Sequence, residues 1–277
     1  MSTINKTSLV GEKRTIWSNA LLDKTSKIWF IVTVLGQWIF AAYVALFYGG
    51  AAMDGDFMKW NRVLPHGYVE GETMGNLAVA THLLFAVIVL FGGPMQFIPQ
   101  LRKKIPTLHR WSGRFYITAA FLLSLSGIYM VIAKGTISGL VGDISVSLNG
   151  ILILLFAVLA LRTAMKRDFL SHSQWVMRLF LAMGGVWFFR IGLMFWLFVN
   201  GGPVGFDMET FRGPFLVFLG FGQYIIPLAV YELYRISKRK TASNLKAVMF
   251  VSLVVFTLIT ALGTFAATMG MWIPRIS

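Results

Sequence analysis

The sequence predicts an all-α integral membrane protein, a bundle of seven transmembrane helices. Three observations predict this fold class: hydrophobic residues make up 57% of the 277 residues, charged residues make up only 13%, and the mean hydropathy is +0.71. Soluble domains contain about 25% charged residues, so this composition excludes an ordinary water-soluble domain, and the chain is too apolar to be intrinsically disordered. The absence of Cys excludes disulfides, thiolate nucleophiles and Cys-ligated metal centres.

Seven runs of the sequence are long enough to cross a bilayer. A spanning helix needs about 20 mainly apolar residues, and none of the runs shows the alternation of a barrel strand. A single membrane domain, 28–273, therefore follows a polar segment, 1–27. The runs are 28–48, 75–97, 111–132, 144–161, 175–199, 211–234 and 245–273.

Polar or turn-forming segments separate the first four runs. Residues 1–27 lack the apolar segment of a cleaved signal peptide, and their Ser, Thr, Asn and Lys content predicts a flexible cytoplasmic tail. The loop 49–74 contains Pro65, His66 and four acidic residues and is long enough to fold over the end of the bundle. A Gly-Gly-Pro sequence at 92–94 interrupts the second run, and we interpret it and the other Gly pairs as helix-packing sites. The fourth run is the shortest and begins with polar residues.

The last three runs differ in their charged residues. The fifth contains Arg190 in the sequence VWFFRIGLMFW, and the sixth ends beside the basic segment 235–240. The seventh has no Lys beyond Lys246 at its start, which excludes the mid-membrane Schiff base of a retinal protein. No P-loop, GxSxG or HExxH motif is present. Enzymatic activity is therefore left open.

The distribution of charge predicts the orientation. With the N-terminus in the cytoplasm, 19 of the 25 Lys and Arg residues fall on the inner side and five on the outer side, while seven of the 11 acidic residues are outer. The positive-inside rule then places the N-terminus inside and the C-terminus outside, in the inner (cytoplasmic) membrane of a bacterium. The pI of about 10.2 reflects a basic inner face that would bind anionic phospholipids. It is no evidence for nucleic-acid binding.

Two ionisable residues lie inside predicted spans. Such groups are costly in lipid unless they are paired or hydrated, so each marks a candidate site. Arg190 is about 12 Å from the outer end of the fifth span, and His82 is about 9–11 Å from the outer end of the second. We expect the two to line one cavity in the outer half of the bundle. The alternative for each is a structural hydrogen bond between helices.

A second group of candidates lies at the inner surface. His109 and His172 each precede a span and are followed within six residues by Trp and Arg. This pattern is typical of an interfacial belt, which does not by itself require His twice. Arg110 and Arg114 are four residues apart on one helix face, where they would clamp an anion together. His172 and Arg190 are 18 residues apart, about five turns, and form a polar stripe if the fifth span is continuous. The remaining belt residues are Trp111, Trp175 and Arg178.

These motifs resemble a family of bacterial multi-span membrane proteins catalogued as a domain of unknown function. The resemblance rests on His82 and on the strings GGPMQF, HRWSGRFY, HSQWVMR and FFRIGL, and it extends over about residues 30–235. It implies a shared polar site but no established activity, and the seventh span lies largely outside it. The matching positions are His82, Gln96, His109, Arg110, Gly113, Arg114, Tyr116, His172, Trp175, Arg178 and Arg190.

The leading functional hypothesis is a redox protein that binds haem b or a quinone for electron transport. Neutral imidazole is a standard ligand of haem iron, so His109 and His172 would ligate the iron on the inner side. An outer site would use His82 with His66, and Arg190 would contact a propionate or a quinone oxygen.

Two other functions are kept open. The first is a transporter of a small anionic or zwitterionic solute, with Arg190 and His82 as the binding site and the interrupted second span exposing backbone dipoles to the substrate. The second is an accessory or assembly subunit of a membrane complex, in which the polar residues hold the bundle together and bind lipid. A membrane hydrolase is a minor further alternative.

Overall fold

A computed structural model describes residues 6–64, 66–240 and 242–276, with only the backbone described for residues 6–18 and 243. These ranges are almost entirely helical, and their β pairing is limited to an isolated bridge between Asp207 and Arg212. Six helices are long and apolar enough to cross a membrane, and a bent pair of helices makes a seventh candidate span. The predicted all-α membrane bundle is confirmed. The orientation of its termini stays a prediction.

Eight long helices form the bundle in the described ranges. The first long helix, Lys6–Val44, is extended by a π-helical turn, Ala45–Gly49, and a short helix, Gly50–Met53. The last long helix, Ser243–Ala267, is extended in the same way by Thr268–Trp272 and Ile273–Ile276. Shorter helical segments, Phe57–Arg62 and Pro99–Lys104, lie in the loops. The long helices are α1 Lys6–Val44, α2 Thr73–Met95, α3 Pro106–Lys134, α4 Leu140–Met165, α5 Phe169–Met183, α6 Gly185–Asn200, α7 Pro214–Arg239 and α8 Ser243–Ala267.

The polar segment before the first span is helical from Lys6 onward. The composition of 1–27 predicts a flexible tail, whereas α1 runs without a break over Lys6–Val44. Extending an existing helix adds one hydrogen bond for each residue fixed, so propagation out of a span is far easier than starting a new helix. Polarity therefore marks where the apolar span begins but not where the helix begins. Residues 1–5 lie outside the described ranges.

The fifth predicted span consists of two helices, α5 and α6, bent by 50° at Gly184. Neighbouring side chains pack tightly on this glycine, since a Cβ there would lie 3.1 Å from Gln37 Nε2 and 3.1 Å from Phe188 Cε2. Sharp kinks commonly occur at such small residues. The predicted stripe joining His172 and Arg190 along one continuous helix is therefore wrong.

The histidine-bearing helices surround a core of small residues. One group of helices is α2 to α5, in which α2 packs on α3, α3 on α4, and α4 on α5. In the other group, α8 packs against α1 and α6. α7 lies between the two groups. Small side chains let membrane helices approach closely. One core, mainly aromatic, includes Phe40, Tyr43, Trp187, Phe188 and Trp272. The other, between α2, α3, α4 and α5, includes Ala119, Ala120, Ala157, Leu179 and Ala182.

The two ends of the bundle are distinguished by the loops that they carry. We call one end the basic face, which carries the segment Pro99–Lys104 and the loops that follow Met165 and Arg239. We call the other end the opposite face, which carries the loops that follow Met53, Lys134 and Asn200.

Candidate functional site

His82 joins α2 to α3 through a backbone carbonyl. Its Nδ1 lies 3.1 Å from the Leu123 carbonyl oxygen and 3.4 Å from Ser126 Oγ. Because a carbonyl only accepts, Nδ1 carries the proton and Nε2 keeps a lone pair. Gly127 makes room for the ring, since a Cβ there would lie 3.2 Å from His82 Cε1.

His172 makes the same kind of contact at the basic face. Its Nδ1 lies 2.9 Å from the carbonyl oxygen of Ala160 on α4, so Nδ1 donates and Nε2 keeps its lone pair. The preceding turn is fixed by Asp168, whose Oδ1 accepts from the backbone N–H of Ser171 at 3.1 Å. Hydrogen bonds from the side chain and backbone of Ser171 hold the pKa of the Asp168 carboxyl below its usual value. The cap therefore stays ionised at neutral pH.

His109 lies in the first turn of α3 and is half-buried. Its Nδ1 is buried and has no hydrogen-bond partner among the described residues. The ring is close enough to His172 and to Arg102 to interact electrostatically with both. The two predicted inner histidines therefore lie at the same face of the bundle, at the starts of α3 and α5.

The histidines lie at two depths. His82 contacts α3 at Leu123, which is 14 residues beyond His109. At a rise of 1.5 Å per residue the two levels are about 21 Å apart along α3. His66 lies on the exposed loop of the opposite face, where its carbonyl accepts a hydrogen bond from Lys134 Nζ at 2.7 Å.

Polar residues between the two levels are partly satisfied. Gln96 Nε2 donates to Ser112 Oγ at 2.9 Å and ties the end of α2 to α3, and Gly113 leaves room for the Gln96 side chain. Tyr116 is buried against Gly93, and its hydroxyl has no partner among the described residues. The orphaned Tyr116 hydroxyl and His109 Nδ1 are seven residues apart, on one face of α3.

Arg178 is occupied by an ion pair. Its Nη2 lies 2.6 Å from Glu232 Oε1, and its guanidinium lies 4.4 Å from the centroid of the Trp175 ring. Glu232 also accepts from Arg235 Nη1 at 2.8 Å, and Arg235 donates to Gln174. This network clamps α5 to α7 at the basic face. No local sequence pattern indicates the pairing, because its partners are 54 residues apart.

Arg110 and Arg114, on one face of α3, contact different neighbours at the basic face. Arg114 stacks over the Trp111 ring at 5.1 Å, whereas Arg110 donates to Thr107 Oγ1 at 3.4 Å. Both guanidinium groups lie on exposed residues at the start of a spanning helix. Their geometry fits the interfacial interpretation, in which each contacts a lipid phosphate separately.

Arg190 lies on α6, with its guanidinium 5.2 Å from the centroid of the Phe40 ring. Its Nη1 donates to the Val186 carbonyl of its own helix at 3.3 Å. Within the described part of the chain no carboxylate lies within 4 Å of it. His82 is close enough to interact with it electrostatically, as are Tyr43 and Tyr48. The helices that carry the two residues, α2 and α6, both contribute to the mainly aromatic core.

Residues 79–212, nearly half of the chain, match the family model described as "Predicted membrane protein (DUF2306)". The family is one of predicted membrane proteins of unknown function. All eleven motif positions lie inside the DUF2306 segment, which is narrower than the range 30–235 expected from the motifs. No curated protein and no solved structure matches the chain.

Proposed function

We propose that this protein is a membrane redox protein that binds haem b at the basic face, where His109 and His172 would hold the iron. One observation carries the proposal: His172, which lies at the same face as His109, donates its Nδ1–H to the Ala160 carbonyl of a neighbouring helix. A contact of this kind fixes the tautomer and leaves the Nε2 lone pair available, which is how metal-ligating histidines are held.

The donor set at the basic face fits a haem iron. Haem iron accepts neutral imidazole, and the buried Nδ1 of His109 has no partner among the described residues that would hold the ring in another orientation. Arg102, which interacts electrostatically with His109, is a cation of the type that binds a propionate. The described residues contain no cluster of three His, Asp or Glu for a bare metal ion. A pair of imidazoles suits haem better than a mononuclear metal site.

Bound haem would supply reversible one-electron transfer. The residues of this chain hold the ligands in position: the Ala160 carbonyl orients the ring of His172, and the ionised Asp168 fixes the first turn of α5. The Arg178–Glu232 pair holds α5 against α7. Each of these contacts is made by the protein alone, so the position of His172 is organised before haem arrives.

We further propose that the level of His82 forms a separate site. The Nε2 lone pair of His82 accepts a proton donor, and the Arg190 guanidinium donates to an anionic or carbonyl oxygen. A quinol hydroxyl has the chemistry to meet both groups, since it donates to Nε2 and accepts from the guanidinium, whereas a quinone oxygen or an ionised propionate accepts only and would meet Arg190 alone. Because the two levels are about 21 Å apart, this site would lie in the other half of the bundle from His109 and His172.

The test is the visible spectrum of the protein purified in detergent from haem-replete cells, oxidised and then reduced with dithionite. We expect a Soret band that sharpens on reduction together with α and β bands, and we expect His109→Ala and His172→Ala to remove them. His66→Ala, on the exposed loop of the opposite face, is the matched control and should keep them. A flat spectrum of folded, haem-replete wild-type protein would overturn the haem proposal.

The position of Arg190 favours transport of a small anion as a second candidate function. A guanidinium within a span that has no carboxylate partner among the described residues is a natural anion site in a membrane. Uptake of anions into proteoliposomes should then be lost in Arg190→Gln and partly kept in Arg190→Lys. Equal uptake by wild type and Arg190→Gln would remove this candidate.

A further inference from the structure

Three cations line one pocket on the opposite face. A cavity of about 230 Å³ lies between the end of α1 and the end of the chain's last helical segment, and the helical turn Phe57–Arg62 borders it. Its lining consists of Phe47, Lys59, Arg62, Pro274, Arg275 and Ile276.

None of the three cations has an acidic partner among the described residues. Among the described residues, the cations that form ion pairs are Lys134, Arg178, Arg235 and Lys238 only, and none of them lines the pocket. The nearby carboxylate of Asp56 accepts from the backbone N–H of Lys59 at 3.3 Å, where it caps the helical turn, and it makes no ion pair with the ammonium group. Lys59 Nζ instead lies 5.6 Å from the centroid of the Phe47 ring. The positive charge of the pocket is therefore uncompensated by the described residues.

This clustering runs against the charge of the face that carries it. The opposite face holds seven of the 11 acidic residues and five Lys or Arg residues. Of those five, Lys134 pairs with Glu72 at 3.4 Å, and Arg212 packs beside Gly139, away from the pocket. The remaining three converge on one cavity although acidic partners are available on the same face. Like charges held together in this way repel one another unless an anion binds between them.

The positive potential continues into the bundle. The buried Tyr48 lies next to Phe47 and interacts electrostatically with both Arg275 and Arg190. Arg190 and Arg275 also interact with each other. An anion in the pocket is thus attracted by the three lining cations and, at longer range, by Arg190.

We propose that this pocket binds a phosphate group. Two guanidinium groups and an ammonium group supply the forked and point-charge donors that phosphate oxygens accept, and the cavity exceeds the roughly 30 Å³ share of a water molecule several-fold. The phosphate group belongs either to a soluble phosphate or to the head group of a phospholipid, since the apolar residues Pro274 and Ile276 also border the pocket. The site is independent of the histidines and of haem.

The test uses the full chain in dodecyl maltoside with two probes. Equilibrium dialysis measures binding of radiolabelled inorganic phosphate, and native mass spectrometry counts phosphatidylglycerol and phosphatidylcholine molecules retained. We expect Lys59→Gln, Arg62→Gln and Arg275→Gln each to weaken binding about tenfold, as loss of one charge-assisted hydrogen bond does, and the triple variant to abolish it. The matched control is Arg212→Gln, which removes an exposed cation of the same face outside the pocket.

Each outcome decides the proposal. Phosphate binding that depends on the three cations supports a soluble ligand, and retention of phospholipid alone with the same dependence supports a head group. Failure of both probes to bind, binding by the triple variant equal to wild type, or equal loss in Arg212→Gln overturns the proposal. If the triple variant does not elute as a helical, monodisperse protein, Arg62→Gln and Arg275→Gln decide alone, since both residues are exposed and tolerate substitution.

Discussion

Replacing His172 by Asn separates its hydrogen bond from its proposed role as a ligand. The imidazole Nδ1 lies 2.9 Å from the Ala160 carbonyl oxygen. The Nδ2 group of Asn occupies nearly the same position and therefore keeps a donor for that carbonyl. Asn has no atom at the position of Nε2, so it cannot replace the proposed ligand. A neutral hydrogen bond contributes about 0.5–1.5 kcal/mol net. Because the Ala160 carbonyl also accepts from Thr163 Oγ1 at 3.0 Å, His172→Ala leaves no orphaned acceptor. We expect His172→Ala to cost about 1 kcal/mol and His172→Asn less than about half of that.

The assay pairs unfolding in sodium dodecyl sulphate with the reduced-minus-oxidised spectrum of the same samples. Stability should rank wild type, Asn and Ala in descending order, whereas the haem absorbance should be lost equally in both variants. His66→Asn, in the exposed loop, should change neither measurement. If His172→Asn is as unstable as His172→Ala, the hydrogen-bond reasoning is refuted. If it retains full absorbance, Nε2 of His172 is not a ligand.

Three further predictions concern packing. Gly93→Ala should destabilise the protein by roughly 1–3 kcal/mol, because the new Cβ would lie 3.0 Å from the Tyr116 ring. The control is the adjacent Gly92→Ala, which should be neutral or stabilising because its Cβ would have nothing within 4 Å. Equal unfolding midpoints for the two variants would contradict this prediction. Gly263→Ala should prevent stable folding, since its Cβ would meet the backbone carbonyl oxygen of Ile191 on α6, which has no freedom to rotate away. A variant that is fully helical and elutes as a monodisperse protein from size-exclusion chromatography would contradict this close approach. Lys246→Met should raise the midpoint of thermal unfolding by an amount equivalent to about 1–3 kcal/mol, because the ammonium group is buried with no partner among the described residues. A lower unfolding midpoint would mean that the lysine is paired.

The spans could be predicted from sequence, whereas the break in the fifth span could not. Apolar runs of about 20 residues identify spanning helices because lipid requires every backbone group to be paired within the helix. Gly pairs occur at 49–50, 92–93, 184–185 and 201–202, and of the pairs inside predicted spans only 184–185 coincides with a sharp bend. Close packing does not make the difference, since Gly93 packs as tightly against Tyr116 as Gly184 does against Gln37. The Gly-Gly sequence itself therefore does not indicate which span bends.

The residue types of the site could also be predicted, but their partners could not. A histidine in or beside a span indicates a polar contact, yet the contacts of His82 and His172 are backbone carbonyls, which every residue possesses. The partner of Arg178 is a side chain 54 residues away, so only the packing of α5 on α7 reveals it. The two-arginine clamp stays a prediction: Arg110 and Arg114 share a helix face, and their protein neighbours are Thr107 and Trp111.

What separates a candidate site from a structural contact is the hydrogen-bonding capacity that packing leaves over. The Arg178 guanidinium, bound to Glu232 and stacked on Trp175, has its main interactions within the bundle. By contrast, His109 Nδ1 and the Tyr116 hydroxyl are buried without partners among the described residues, although an unpaired buried polar group costs about 1–3 kcal/mol. Stability alone would favour apolar side chains at both positions. Ten other buried polar atoms of the described residues, Lys246 Nζ among them, also lack a partner, so the two groups on α3 support a ligand only because they share one helix face with each other and the basic face with His172.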